Sequence, residues 1–146
     1  MAIMKEQTWG RHSNPWSVWT RVFTYPLVYV PVWNRSWRQA VPIITWFVLN
    51  PRLFPPPKDD SSWATRSVLG ERMWTSSLRA DLPMLVNALS ALFFLLALYS
   101  AYARRVWKVA SFGGFALAFK LWFLERMVVY YEEHLTRSWW RRLLRL

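Results

Sequence analysis

The chain has 146 residues, 54% of them apolar, with 12 Trp, 9 Pro, 4 Gly, 2 His and no Cys, and it carries a formal net charge of +11. That is room for one domain. The lack of Cys excludes disulfides, thiolate zinc sites, iron–sulfur clusters and cysteine nucleophiles, and two histidines leave little for a catalytic triad or a histidine-rich metal site.

A nucleic-acid binder gathers its basic residues on a polar face, whereas here they fall in gaps between apolar, Trp-rich runs. The charge pattern therefore points to a lipid bilayer and away from nucleic acid. Residues 16–33 and 37–54 each give 18 residues around shorter apolar stretches, with Arg21 and Arg52 within about a turn of an end, where a long side chain can snorkel to the headgroups. Pro26, Pro31 and Pro42 predict bends in these two segments. Pro51 and the Pro55, Pro56, Pro57 run end the second one, and Asp59, Asp60, Ser61 and Ser62 offer N-caps for a loop helix over 63–78. Trp63, Ala64, Val68, Trp74 and Leu78 share one face of that helix, which is expected to lie partly buried at the interface.

Residues 82–103 are 22 residues without a charge, enough at about 1.5 Å per residue to cover a bilayer core of about 30 Å. Residues 106–131 are also long enough, although Lys108 opens the segment and Lys120, Glu125 and Arg126 lie within it. Residues 132–146 read as a basic amphipathic tail, with Arg137, Arg141, Arg142 and Arg145 at a membrane surface and Trp139 and Trp140 inserted. The expected fold is an all-α integral membrane protein: a single domain over 1–146 with four short or bent transmembrane helices and an interfacial loop helix. A two-span hairpin with a membrane-lying N-terminal half stays open, since the mean hydropathy is only +0.06. Residues 1–21 lack the continuous apolar core of a cleavable signal peptide, so the chain is expected to begin at or near Met1.

Four spans put twelve Lys and Arg on the side of the termini and the central loop, and five on the other. The positive-inside bias then places the protein in the cytoplasmic (inner) membrane with both termini cytoplasmic.

The stretches RHSNPWSVWTR (11–21), NPRLFPPP (50–57), WATRSVLGERMW (63–74), NALSA (87–91) and KLWFLERMVVYY (120–131) together resemble a family of short bacterial and archaeal integral membrane proteins of unknown function. The resemblance covers nearly the whole chain. It implies a membrane fold and brings no activity, substrate or cofactor with it.

Ionisable groups inside apolar segments are costly, at least about 2.5–3.5 kcal/mol at a bilayer centre, which singles out Lys120 and Glu125. Asn87 falls at about the depth of Glu125 on the antiparallel neighbour, where the two can hydrogen-bond. Lys120 and Glu125, five residues apart, point about 140° away from each other and are poor direct partners. Asn87, Lys120 and Glu125 therefore form either a polar pocket for a headgroup, proton or small substrate, or an interhelical clasp that fixes register. Ser111, Gly113 and Gly114 offer a small-residue face for close helix packing. A second cluster is expected at the cytoplasmic face, with His12, Asn14 and Arg21 on the same side as the loop helix: Arg66 and Arg72 to hold a lipid phosphate and Glu71 or His12 to act as base, or else salt bridges that dock the loop on the N-terminal segment. His12 and His134 fall on the same face near Glu132 and Glu133, a weak candidate pair for a metal or haem that lacks any spacing motif.

The leading functional expectation is a non-enzymatic accessory or scaffold subunit without a cofactor, packed on a membrane-protein partner or on a second copy of itself. The alternative is a small lipid-acting membrane enzyme or carrier with a polar site at the cytoplasmic face.

Overall fold

The computed structural model describes residues 6–77 and 80–143, with side chains from Trp9 to Arg137. All regular structure among these residues is helical: α1 (Glu6–His12), α2 (Pro15–Thr24), a 3₁₀ segment (Tyr25–Val28), α3 (Tyr29–Asn34), α4 (Trp37–Leu53), α5 (Trp63–Thr75), α6 (Leu82–Tyr102) and α7 (Val106–Leu143).

The first long helical path is broken where Pro26 enters, and the chain continues through the 3₁₀ turn into α3 without leaving its direction of travel for a loop. The path stops at Arg35, whose left-handed backbone (φ 51°) closes α3, and the turn between α6 and α7 is built the same way by Arg104 (φ 54°). Both turns meet at one end of the bundle: Arg35 donates to the Tyr102 carbonyl at 3.3 Å, and its guanidinium lies 4.5 Å from the Tyr102 ring centre.

The opposite end gathers α1, the proline-rich loop and α5. Asn14 caps α2 by accepting from the Trp16 N–H and donates to the Pro55 carbonyl, 2.9 Å in each case. Thr65 donates to the Ser13 carbonyl at 2.8 Å. Asp81 caps α6 through the Met84 N–H and also accepts from the Trp74 indole, both at 3.0 Å, so one carboxylate orients α5 and α6 together.

The hairpin of α6 and α7 packs by shape. Ala97, Ala101 and Ala116 are buried at the contact, Phe93 lies against Phe112, Phe115 and Phe119, and Ser90 donates to the Ala116 carbonyl at 2.8 Å. Gly113 is buried under the Tyr29 ring, while Ser111 and Gly114 are exposed. Val86, Trp74, Phe123, Leu124 and Met127 form the core where α5 joins the hairpin.

Three features differ from the sequence expectation. The loop helix is partly buried, as expected, but is wedged among three helices: Ala64, Thr65, Ser67, Val68, Gly70 and Trp74 are buried between α1, α2 and α7. It ends at Thr75, and Leu78 lies outside the described residues. The basic tail does not begin a new element, since α7 runs unbroken for 38 residues, about 57 Å, because nothing between 131 and 143 breaks a helix. Arg137 is exposed on it; the side chains of Trp139, Trp140, Arg141 and Arg142, and residue Arg145, lie outside what is described. Finally, one helix among the described residues, α6, is by itself long and apolar enough to cross a membrane, with mean hydropathy 2.0 and 17% of that stretch buried. The first path is divided by its 3₁₀ turn, α4 has 17 residues, and Lys108 and Lys120 lower the apolarity of α7.

Candidate functional site

On α2 the usual order of a surface helix is inverted. Trp16 and Phe23 are 70% and 77% exposed, whereas Ser17 and Val18 are buried and Arg21 points with them toward the other helices. The cause is a polar ladder to α4. Ser17 donates to Asn50 Oδ1 at 2.8 Å, Asn50 Nδ2 donates to Thr20 Oγ1 at 2.9 Å, and Trp46 Nε1 donates to Thr24 Oγ1 at 2.9 Å. With this face turned inward, the Arg21 guanidinium cannot reach out from the bundle, and its Nε instead donates to the Ser17 carbonyl at 2.9 Å.

Arg21 lines a partly open cavity of about 380 Å³ walled by residues of α1, α2, the 3₁₀ segment, α4, α5, α6 and α7. Its polar residues are His12, Arg21, Glu71, Asn87, Ser90 and Lys120, and its apolar wall includes Val18, Phe47, Phe94, Leu117 and Leu124. A few convergent polar groups in an otherwise apolar concavity of this size are the ordinary makeup of a small-molecule site.

Lys120 Nζ lies 3.5 Å from Glu71 Oε1 and 4.5 Å from the centre of the Phe123 ring. At 3.5 Å the ion pair is long for a hydrogen bond, so the ammonium retains donors for another acceptor. Asn87, one helix away, makes no side-chain hydrogen bond among the described residues. Arg21 and Lys120 against the single carboxylate of Glu71 leave the cavity one formal positive charge.

His12 adds a donor. Arg21 Nη1 lies 3.2 Å from His12 Nε2, and because a guanidinium can only donate, Nε2 is the acceptor and the ring proton sits on Nδ1. Nδ1 is buried and has no partner. Burial, then the charges of Arg21 and Lys120, hold the imidazole neutral by pushing its pKa down to about 3. This ring is a poor general base near neutral pH: its basic nitrogen is occupied by Arg21 and its affinity for a proton is low.

The two clusters expected from sequence are thus redistributed. His12 and Glu71 from one, and Asn87 and Lys120 from the other, share a single cavity. Arg66 turns away, to the Asp60 carbonyl and to Glu132, each at 2.8 Å. Arg72 is half-buried and outside the lining. Glu125 does not meet Asn87; it is exposed and accepts from the Trp63 indole. Lys120 and Glu125 do not pair with each other; each takes a different partner on α5, Glu71 and Trp63. His134 is exposed and stacks on Tyr130, with ring centres 6.2 Å apart, and among the described residues no three His, Asp or Glu side chains converge as metal ligands. Ser90 was missed as a cavity residue, and Arg21 was placed on the side of His12 and Glu71 without a role. The signal for Arg21 was the spacing Ser17, Thr20, Thr24, a polar stripe at helical period that turns that side of α2 inward.

An all-helical bundle with a mixed polar and apolar cavity at its centre is therefore the class this chain defines. The chain belongs to DUF6653, a family of unknown function, whose pattern matches residues 2–139. No curated protein and no solved structure matches it.

Proposed function

We propose that this chain is an integral membrane protein that binds a small anionic molecule in the cavity around Lys120, as a carrier or receptor. The membrane reading is supported by the inversion of α2 and by the Leu and Tyr side chains that α6 exposes, among them Leu85, Leu92, Leu95 and Tyr99. Contiguous apolar surface on this scale needs a cover, and a bilayer supplies one. The charge bias then puts both termini on the cytoplasmic side of the inner membrane.

One observation carries the binding reading: six polar residues brought from α1, α2, α5, α6 and α7 line one cavity with a surplus positive charge. A clasp that only fixed register would pair its groups with one another. Here His12 Nδ1–H has no acceptor, Asn87 makes no side-chain hydrogen bond, and Lys120 meets a long ion-pair contact and the Phe123 ring. Neutral His12 supports binding over acid–base chemistry, so the enzyme reading recedes. The scaffold reading draws on the exposed Trp16, Trp37 and Trp107, but lipid covers such side chains equally well.

The test is extraction of the protein from alkaline-washed native membranes into a lipid-preserving polymer, followed by mass spectrometry of what accompanies it. An acidic small molecule is expected with the wild type and at least tenfold less of it with a folded Lys120→Gln variant. A stoichiometric protein partner with no small molecule would overturn binding in favour of a scaffold, and release by the alkaline wash would overturn the membrane reading.

A further inference from the structure

Beyond the cavity lies a second concavity, of about 340 Å³, bounded by Thr24, Leu27, Pro42, Ile43, Trp46 and Phe47 and almost wholly apolar. It forms where both flanking elements carry a proline: α2 gives way to the 3₁₀ turn at Pro26, and α4 passes Pro42. The Trp46–Thr24 hydrogen bond pins the two elements together beside it. Phe47 lines both this groove and the polar cavity, and is the residue the two share.

We propose that the ligand is a single-chain amphipathic anion: its carboxylate or phosphate head lies in the cavity against Lys120 and Arg21, and its hydrocarbon tail passes Phe47 into the groove. This rests on the binding reading above and adds the class of ligand. The head is assigned by charge complementarity, since the cavity offers two cations and the Asn87 amide against one carboxylate. The tail is assigned by continuity, since the groove on the far side of Phe47 offers a chain no polar partner except the Thr24 hydroxyl, already engaged by Trp46. A two-chain lipid has one tail too many for this groove, and a fully polar anion leaves it empty. Each buried methylene favours binding from water by about fourfold, so chain length is the natural readout.

The experiment is native mass spectrometry of the full chain in a neutral detergent, titrated separately with palmitate, octanoate, lysophosphatidic acid and hexadecanol. Palmitate or lysophosphatidic acid is expected to bind at least tenfold tighter than octanoate, and the tighter of the two identifies the head as carboxylate or phosphate. Ile43→Trp and Leu27→Trp, two independent ways of filling the groove, are expected to weaken the long-chain anion at least fivefold and leave octanoate unchanged. Lys120→Gln is expected to weaken both. Long-chain binding that both Trp variants leave intact would overturn the tail assignment while keeping the binding reading. Equal binding of hexadecanol and palmitate would overturn the anionic head, and no binding of any probe to folded protein would overturn the binding reading itself.

Discussion

Apart from the Ser90 hydrogen bond, the α6–α7 hairpin is joined by carbon, and the α2–α4 pair by oxygen and nitrogen. In the hairpin, buried alanines let the backbones approach, and Phe93 is packed among three phenylalanines of α7. Between α2 and α4 the contact is the Ser17, Asn50, Thr20 chain and the Trp46–Thr24 bond, with aromatic side chains pointing away from it. Prolines explain the difference. A straight helix can present a continuous ridge to a neighbour, whereas the path interrupted at Pro26 cannot, and α4 carries Pro42 and Pro51 within it; directional hydrogen bonds join the two where they meet. The same broken geometry leaves room for the cavity and groove, which regular ridges would have filled.

The sharpest way to break the carbon-packed side is at Gly70, where a β-carbon on α5 would fall on the Met127 carbonyl of α7. Because the obstacle is backbone, α5 has to back away. Gly70→Ala is expected to cost about 3 kcal/mol, at the upper end for overpacking, seen as a large loss in thermal or denaturant midpoint. The polar side breaks at Asn50, which is fully buried. Asn50→Leu removes both of its bonds and strands the Ser17 hydroxyl, for an expected loss of about 1–3 kcal/mol; the double variant with Ser17→Ala should recover part of it.

The smallest effect is electrostatic and sits where the two sides meet. His12 has a folded pKa lowered from 6.5 to about 3, so below pH 6.5 the unfolded chain binds the proton that the folded chain refuses. Stability from this group is present above pH 6.5 and is lost as pH falls toward 3, by at most about 1.4 kcal/mol per unit. Unfolding followed between pH 7 and 5 should show a slope that His12→Gln flattens.

Much of the fold was legible because it is written in runs. The uncharged stretch from Leu82, the proline run at 55–57 and the long segment from Val106 each announce themselves in one dimension. The depth to which α5 is buried was not, because its inward face is Ala64, Ser67 and Gly70, small residues that read as weakly amphipathic and matter only through how close they let α7 come. Lys120, Glu71, Asn87 and His12 were each singled out from local cost or chemistry, yet divided between two sites. Their convergence depends on where α5 inserts, which no spacing along the chain encodes. Arg21 was read as a headgroup contact because its distance from a helix end was visible and the rotation of α2 was not.

The ion pair in the cavity joins residues 49 positions apart, Glu71 before the hairpin and Lys120 on its second arm. As the chain leaves the ribosome, α1 to α5 are complete while Lys120 is still unmade, and the ladder between α2 and α4, its partners within 33 positions of each other, can already form. The N-terminal half thus acquires its polar stitching early, and the charged chamber comes into being only when α7 closes against it. The lining of the cavity is therefore complete only once α7 has been made and packed against the earlier helices.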